Sequence, residues 1–223
     1  FFHPLNQLIN MKQLKLSALL VLFLTCFAAK PYEVKRVLVI GDSISIGYTP
    51  FIKAALSPDV EVSHNPGNGG STLRGLESME KWLDNRDWDV ILFNFGLHDM
   101  VHKDSSEKYD VVNGKIAVPL KEYRKNLEAI ADKLNETKAK VIFVTTTMVP
   151  EGAKGRKTAS VAEYNEVALK VMKKKNIPVV DLYQPSQIIH PNNSKPKDVH
   201  YTPKGYELLA EILLKEIKQA LKG

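Results

Sequence analysis

The residues that first invite a chemical reading are Gly41-Asp42-Ser43, which follow the apolar run Val37-Leu38-Val39-Ile40. Four aliphatic residues in succession predict a strand buried on both faces, and residues 44–56 read as the helix that follows. A serine at such a join displays its hydroxyl at the carboxyl edge of a sheet, beside the unpaired N–H groups of a helix N-terminus. Open α/β sheets place their chemistry at that edge. The same pattern also suits a serine that only caps a helix, so the choice rests on partners elsewhere in the chain. Three further stretches carry reactive or donor groups: Gly69-Gly70, Gly96-Leu97-His98-Asp99 and Asp198-Val199-His200. His98, Asp99, His102 and Asp104 are neighbours in sequence but match no recognised metal-ligand spacing, and no metal or other cofactor is expected. The glycine-rich stretch 67–70 is not a phosphate loop, because no Gly-Lys-Ser/Thr follows it.

The elements that must position these groups alternate between strand and helix. Strands are predicted at 36–40, 60–63, 88–95, 140–146 and 179–183. Helices are predicted at 45–56, 73–83, 119–136, 159–175 and 202–221, the last opened by Thr202 as N-cap with Pro203 in the first turn. Residues 97–118 and 147–158 read as long loops, the first of them on the surface, and loops of that length in a small domain are commonly functional. Residues 184–199 read as loop or short helix. Trp82 and Trp88, at a helix end and a strand start, read as core. Five strands alternating with helices imply a mostly parallel sheet covered on both faces, a three-layer α/β/α domain with its long loops at one edge.

A chain of 223 residues suits one such domain. Its formal charge of +6 comes from lysines spread along presumptive helix faces, a solvated basic surface and not a nucleic-acid footprint. Residues 1–10 precede Met11 and read as upstream sequence. Residues 11–29 have the layout of a secretory signal peptide: a short basic segment, an apolar run too short for a comfortable membrane span, and small residues for cleavage. The expectation is a secreted or periplasmic protein with one domain over 30–223. Cys26, the one cysteine, lies in the leader; Phe23 and Thr25 ahead of it suit a lipoprotein anchor poorly. Without Cys26 the mature chain has neither disulfides nor a thiol nucleophile.

The four stretches occur in the order and at the spacing of a known set of sequence blocks, and the terminal one continues as Asp198-Val199-His200-Tyr201-Thr202-Pro203-Lys204-Gly205-Tyr206. On these residues the chain resembles the SGNH (GDSL-type) hydrolase family over nearly all of its mature length. The resemblance implies a flavodoxin-like fold with Ser43 as nucleophile, His200 as its base, and an oxyanion hole formed by the N–H groups of Ser43 and Gly70 with a third donor. Two positions depart from the family pattern. The third donor is an asparagine in the family, and His98 stands in its place, where an imidazole N–H can donate. The acid normally lies three residues before the histidine, but Lys197 occupies that position and Asp198 lies two before. Residues two apart in an extended segment project to one side, so Asp198 is assigned as the acid, with Asp181 or a backbone carbonyl as alternatives. Asp99 is expected to bond surrounding loops.

The resemblance implies a serine esterase acting on an O-acyl ester, with acetyl on a carbohydrate as the expected substrate and an acylated small molecule or polysaccharide as the partner. A lipase or lysophospholipase is the alternative within the enzyme class. A non-catalytic carbohydrate-binding relative is the alternative outside it, opposed by the presence of both Ser43 and His200.

Overall fold

Strand β1 (Lys35–Ile40) is the centre from which the sheet is built. Its residues Val37–Ile40 are buried because each face of the strand meets a layer of helices. The computed structural model describes residues 33–222, so the expected leader and Cys26 lie outside the described residues. Helix α1 (Ser43–Leu56) leaves β1 after two residues. It is followed by β2 (Val60–His64), α2 (Thr72–Leu83), β3 (Val90–Phe93), β4 (His102–Lys103) and β5 (Lys115–Ile116). The remaining elements are α3 (Leu120–Asn135), β6 (Lys140–Val144), α4 (Ser160–Lys175), β7 (Val179–Val180), α5 (Tyr183–Ile189) and α6 (Pro203–Lys222).

The main sheet has the order β2-β1-β3-β6-β7, with every neighbouring pair parallel. Its direction of winding reverses between β1 and β3. Such a switch point opens a crevice at the carboxyl ends of the strands, and it lies between Ser43 and the loop carrying His98. Helices α1 and α6 pack on each other over one face; α2, α3 and α4 form the layer on the other. The core is continuous across the sheet, with the Phe93 and Phe143 rings meeting edge-on at 5.1 Å. Trp82 and Trp88 are buried within it. Among the described residues, no helix is long and apolar enough to cross a membrane. This is the three-layer α/β/α fold expected from the sequence.

Three expected elements differ in detail. Strand β7 stops at Val180 because Thr145 Oγ1 accepts the N–H groups of Leu182 and Tyr183, at 2.9 and 3.0 Å, and Asp181 Oδ1 also accepts that of Tyr183. Those bonds turn the chain into α5. Strand β3 starts only at Val90, after Trp88 has anchored its indole N–H on Leu83 O. The segment 97–118 is not a simple surface loop. Leu97, Met100, Val101 and Val118 are buried, and β4 and β5 pair antiparallel. Apolar residues scattered through a polar stretch pull its two ends into the core, while Asp104 and Asp110 close its exposed turns by accepting nearby N–H groups.

Candidate active site

The turn after β1 is pinned from three directions. Asn65 Oδ1 accepts the Gly41 N–H at 2.7 Å, and Gly41 O accepts the Gly69 N–H at 2.8 Å. A side chain at Gly69 would put its Cβ 2.5 Å from that carbonyl oxygen, which is why this approach requires glycine. Asp42 caps α1 by accepting the Ile44 N–H at 2.9 Å. Ser43 is the first helical residue, so its own N–H has no carbonyl one turn back to donate to.

The loop before α6 delivers the histidine. His200 Nε2 lies 2.8 Å from Ser43 Oγ, and His200 Nδ1 lies 2.7 Å from Asp198 Oδ1. With a carboxylate at Nδ1, that nitrogen carries the proton and Nε2 presents a lone pair to the serine hydroxyl. Burial works to raise the Asp198 pKa, but the His200 N–H and ring, together with the His200 and Lys195 charges, hold it below the usual carboxylate value. The shortened Asp-to-His spacing is accommodated by a turn. Lys195 O accepts the Asp198 N–H at 3.1 Å, with Pro196 second and Lys197 third at φ 64°, the pattern of a type II turn. Asp198 Oδ1 then takes both the N–H and the ring of His200. The buried His190 supports the loop by donating from Nε2 to Asp198 O at 2.7 Å while its Nδ1 accepts from Ser194 Oγ. Asp181 lies with Thr145 and the start of α5 instead. The helices behind the pair are clamped together, since the Tyr206 ring on α6 rests against Gly47 on α1.

His98 lines the same pocket as Ser43 and His200. Burial lowers its pKa, an effect only partly offset by Asp42, whose Oδ2 is 4.0 Å from His98 Nε2, and reinforced by the Arg156 and His200 charges. It is therefore neutral near pH 7, with one N–H to offer. Gly70 is placed otherwise than the sequence suggested. Its φ of 67° demands glycine, but its N–H donates to Asn68 Oδ1 at 2.8 Å, and it is Asn68 that reaches the pocket wall. Asp99 points away into the protein, where it accepts the Thr72 N–H and hydroxyl; burial pushes its pKa up to about 6. The four side chains weighed as a metal cluster thus go separate ways, and no group of three potential ligands converges among the described residues.

The description "GDSL-like Lipase/Acylhydrolase family" belongs to the family model that matches residues 39–208, most of the chain. The chain is a member of that family. A curated arylesterase of Vibrio mimicus is 22% identical over 213 residues, covering 91% of this chain and 97% of that protein. The crystal structure of a lipase/acylhydrolase from Enterococcus faecalis superposes with a TM-score of 0.69 at 23% identity, over 83% of this chain and 96% of that one. An acetylxylan esterase from Geobacillus stearothermophilus gives 0.65 at 18%, over 82% and 94%. At these identities the structural likeness establishes the fold. Family membership establishes the broad activity: this GDSL-family protein is an acylhydrolase, cleaving ester bonds.

Several residues of the acylhydrolase pocket were not foreseen. The pocket, about 640 Å³, takes walls from Asn68, Tyr109, Lys154, Arg156, Lys195 and Lys197 in addition to the predicted side chains. Tyr109, half exposed, lays its ring against Gly155, where an added Cβ would come within 2.7 Å of it. Arg156 is buried, donating from Nε to Leu97 O at 2.7 Å and from Nη1 to Lys154 O at 3.2 Å. The 147–158 loop gave one signal in advance: its length at the carboxyl end of a strand.

Proposed function

We propose that this acylhydrolase is a serine esterase that removes a short acyl group, acetyl foremost, from a carbohydrate hydroxyl. The observation that carries the reading is the unbroken series Ser43 Oγ, His200, Asp198, with separations of 2.8 and 2.7 Å. Ser43 Oγ attacks the ester carbonyl carbon while His200 Nε2 takes the hydroxyl proton, and Asp198 steadies the resulting imidazolium. The developing oxyanion meets the free N–H of Ser43 and the His98 N–H, with the Asn68–Gly70 turn as the third wall. The carbonyl–oxygen bond to the alcohol then breaks, and His200 returns its proton to the departing oxygen. Water, deprotonated by the same nitrogen, attacks the acyl-enzyme, releases the acid and restores Ser43. The carbohydrate part is supported by the acetylxylan esterase among the similar structures and by the Tyr109 ring in the pocket wall, which offers an apolar face to a sugar.

The test uses p-nitrophenyl acetate, p-nitrophenyl decanoate and acetylated xylo-oligosaccharides with wild type and Ser43→Ala. Acetate should be cleaved faster than decanoate, acetate should appear from the oligosaccharides, and the variant should lose at least about 10⁴-fold in kcat. Equal rates for the two proteins would sink the serine mechanism, and a preference for decanoate would replace the carbohydrate reading by a lipase.

A further inference from the structure

The pocket holds a charge imbalance that ester cleavage alone does not require. Lys154, Arg156, Lys195 and Lys197 line it, and the one carboxylate beside them is Asp198, hydrogen-bonded to His200 and only within the wider field of Lys195. Among the described residues, none of these four cations has a carboxylate within ion-pair distance. Elsewhere on the surface, Lys133, Lys170 and Lys175 each sit 2.5 Å from one. Asp42, capping α1, contributes an attractive field at the buried Arg156 without pairing with it.

Lys197 is the most informative of the four. It occupies the third position of its turn at φ 64°, where glycine is at ease and an L side chain is strained. Its stem lies against Gly152, itself at positive φ, and a Cβ there would meet Lys197 Cδ at 3.1 Å and Cε at 3.2 Å. Two backbone positions in unusual conformations thus combine to seat one lysine. Strain of this kind points to a use for the side chain that incurs it.

Chemistry decides which half of the substrate meets this lysine. His200 must hand its proton to the departing oxygen, so the alcohol half lies against the loop 195–200 and the acyl oxygen lies toward His98. We propose that the alcohol half carries an anionic group, a carboxylate or a phosphate, held between Lys195 and Lys197 in a field reinforced by Arg156. This inference rests on the serine-esterase reading. The preferred substrate is then an acyl ester of an acidic sugar or a sugar phosphate, with neutral esters cleaved less efficiently.

The experiment compares kcat/KM for glucose, glucuronic acid and glucose 6-phosphate, each acetylated at the same hydroxyl. At low ionic strength at least one anionic ester should exceed the neutral one by about tenfold, shrinking toward parity in about 0.5 M salt; whichever leads identifies the group. Combining Lys195→Gln with Lys197→Gln should bring the anionic-to-neutral ratio close to one, and Lys197→Glu should take it below one. Lys197→Gly should lower the ratio while keeping or raising the melting temperature, since it relieves the positive φ. Lys170→Gln, on a distant helix, should leave the ratio unchanged. A ratio near one in wild type, with turnover that still depends on Ser43, would overturn this inference alone, as would a high ratio that survives the double substitution. Turnover indifferent to Ser43→Ala would remove the esterase reading and this inference with it.

Discussion

The serine end and the histidine end of the site are held by different means. Ser43 follows four buried residues of the central strand, and the turn that carries it is tied to Asn65, Gly69 and the Asp42 cap. Its position is a property of the whole sheet. His200 and Asp198 have side chains 46% and 41% exposed, on a loop held by one tight turn, the buried His190, the core residues Val199 and Tyr201 on either side of His200, and their own hydrogen bond. Their position rests mostly on ties within that loop. Damage at the histidine end should therefore appear in turnover before stability, and damage beneath the serine should appear in stability as well.

The largest effect that can break this contrast is expected at the acid. Asp198→Asn should lower kcat on the order of 10³-fold by disturbing the imidazole's orientation and removing the charge that stabilises its protonated form. Its melting temperature should stay close to wild type, and Asp181→Asn should stay within a few-fold in activity, since Asp181 bonds Thr145 and Tyr183. Steady-state kinetics with the reverse order would reassign the acid. A smaller, opposite kind of effect belongs to Asn65→Ala. That change strands the buried Gly41 N–H and removes the donor that Gly67 O accepts from, and urea unfolding should show a loss of about 2 kcal/mol with an unchanged m-value. A loss under about 0.5 kcal/mol, the level of a surface change, would contradict the sheet-anchored account.

Asp99 sharpens the contrast through pH. Its carboxyl has a folded pKa of about 6 against an ordinary 3.8, because burial disfavours the anion. The unfolded chain thus gives up this proton first. The stabilisation associated with the protonated form is complete below pH 3.8 and is lost as pH rises through about 6. Asp99→Asn should abolish that decline, so its stability relative to wild type should climb across this window by up to about 2 kcal/mol. Denaturant midpoints at pH 4 and pH 7 measure it, and parallel pH curves for the two proteins would refute it.

What was readable from the sequence follows the same division. The β1-turn-α1 unit and the Asp198–His200 pair could be located because each is specified by neighbours in the chain: an aliphatic run ending in glycine, and an acid, a histidine and a Thr-Pro helix start in succession. Asn68 was hidden behind its glycines, since an asparagine in a turn cluster ordinarily reads as turn chemistry alone. Tyr109 and Arg156 come from stretches whose paths are decided by tertiary contacts, the pairing of β4 with β5 and the bond from Arg156 to Leu97 O. Such contacts have no period and no fixed spacing. The unexpected burial within 97–118 has the same origin, because isolated apolar residues do not announce which of them will be drawn inward.

Gly47 carries a consequence for the proton's journey. It lies one helical turn beyond Ser43, on the same side of α1, and the Tyr206 ring fills the space where its Cβ would otherwise stand, 2.2 Å from the ring's nearest atoms. Helix α1, which opens at Ser43, and helix α6, which follows the His200 loop, therefore touch with only hydrogen between backbone and ring. That contact allows the two helices to approach closely, and the 2.8 Å gap across which the proton moves lies at their near ends. A packing distance one turn below the serine thus underlies the site above it, and what permits that distance is a side chain that is not there.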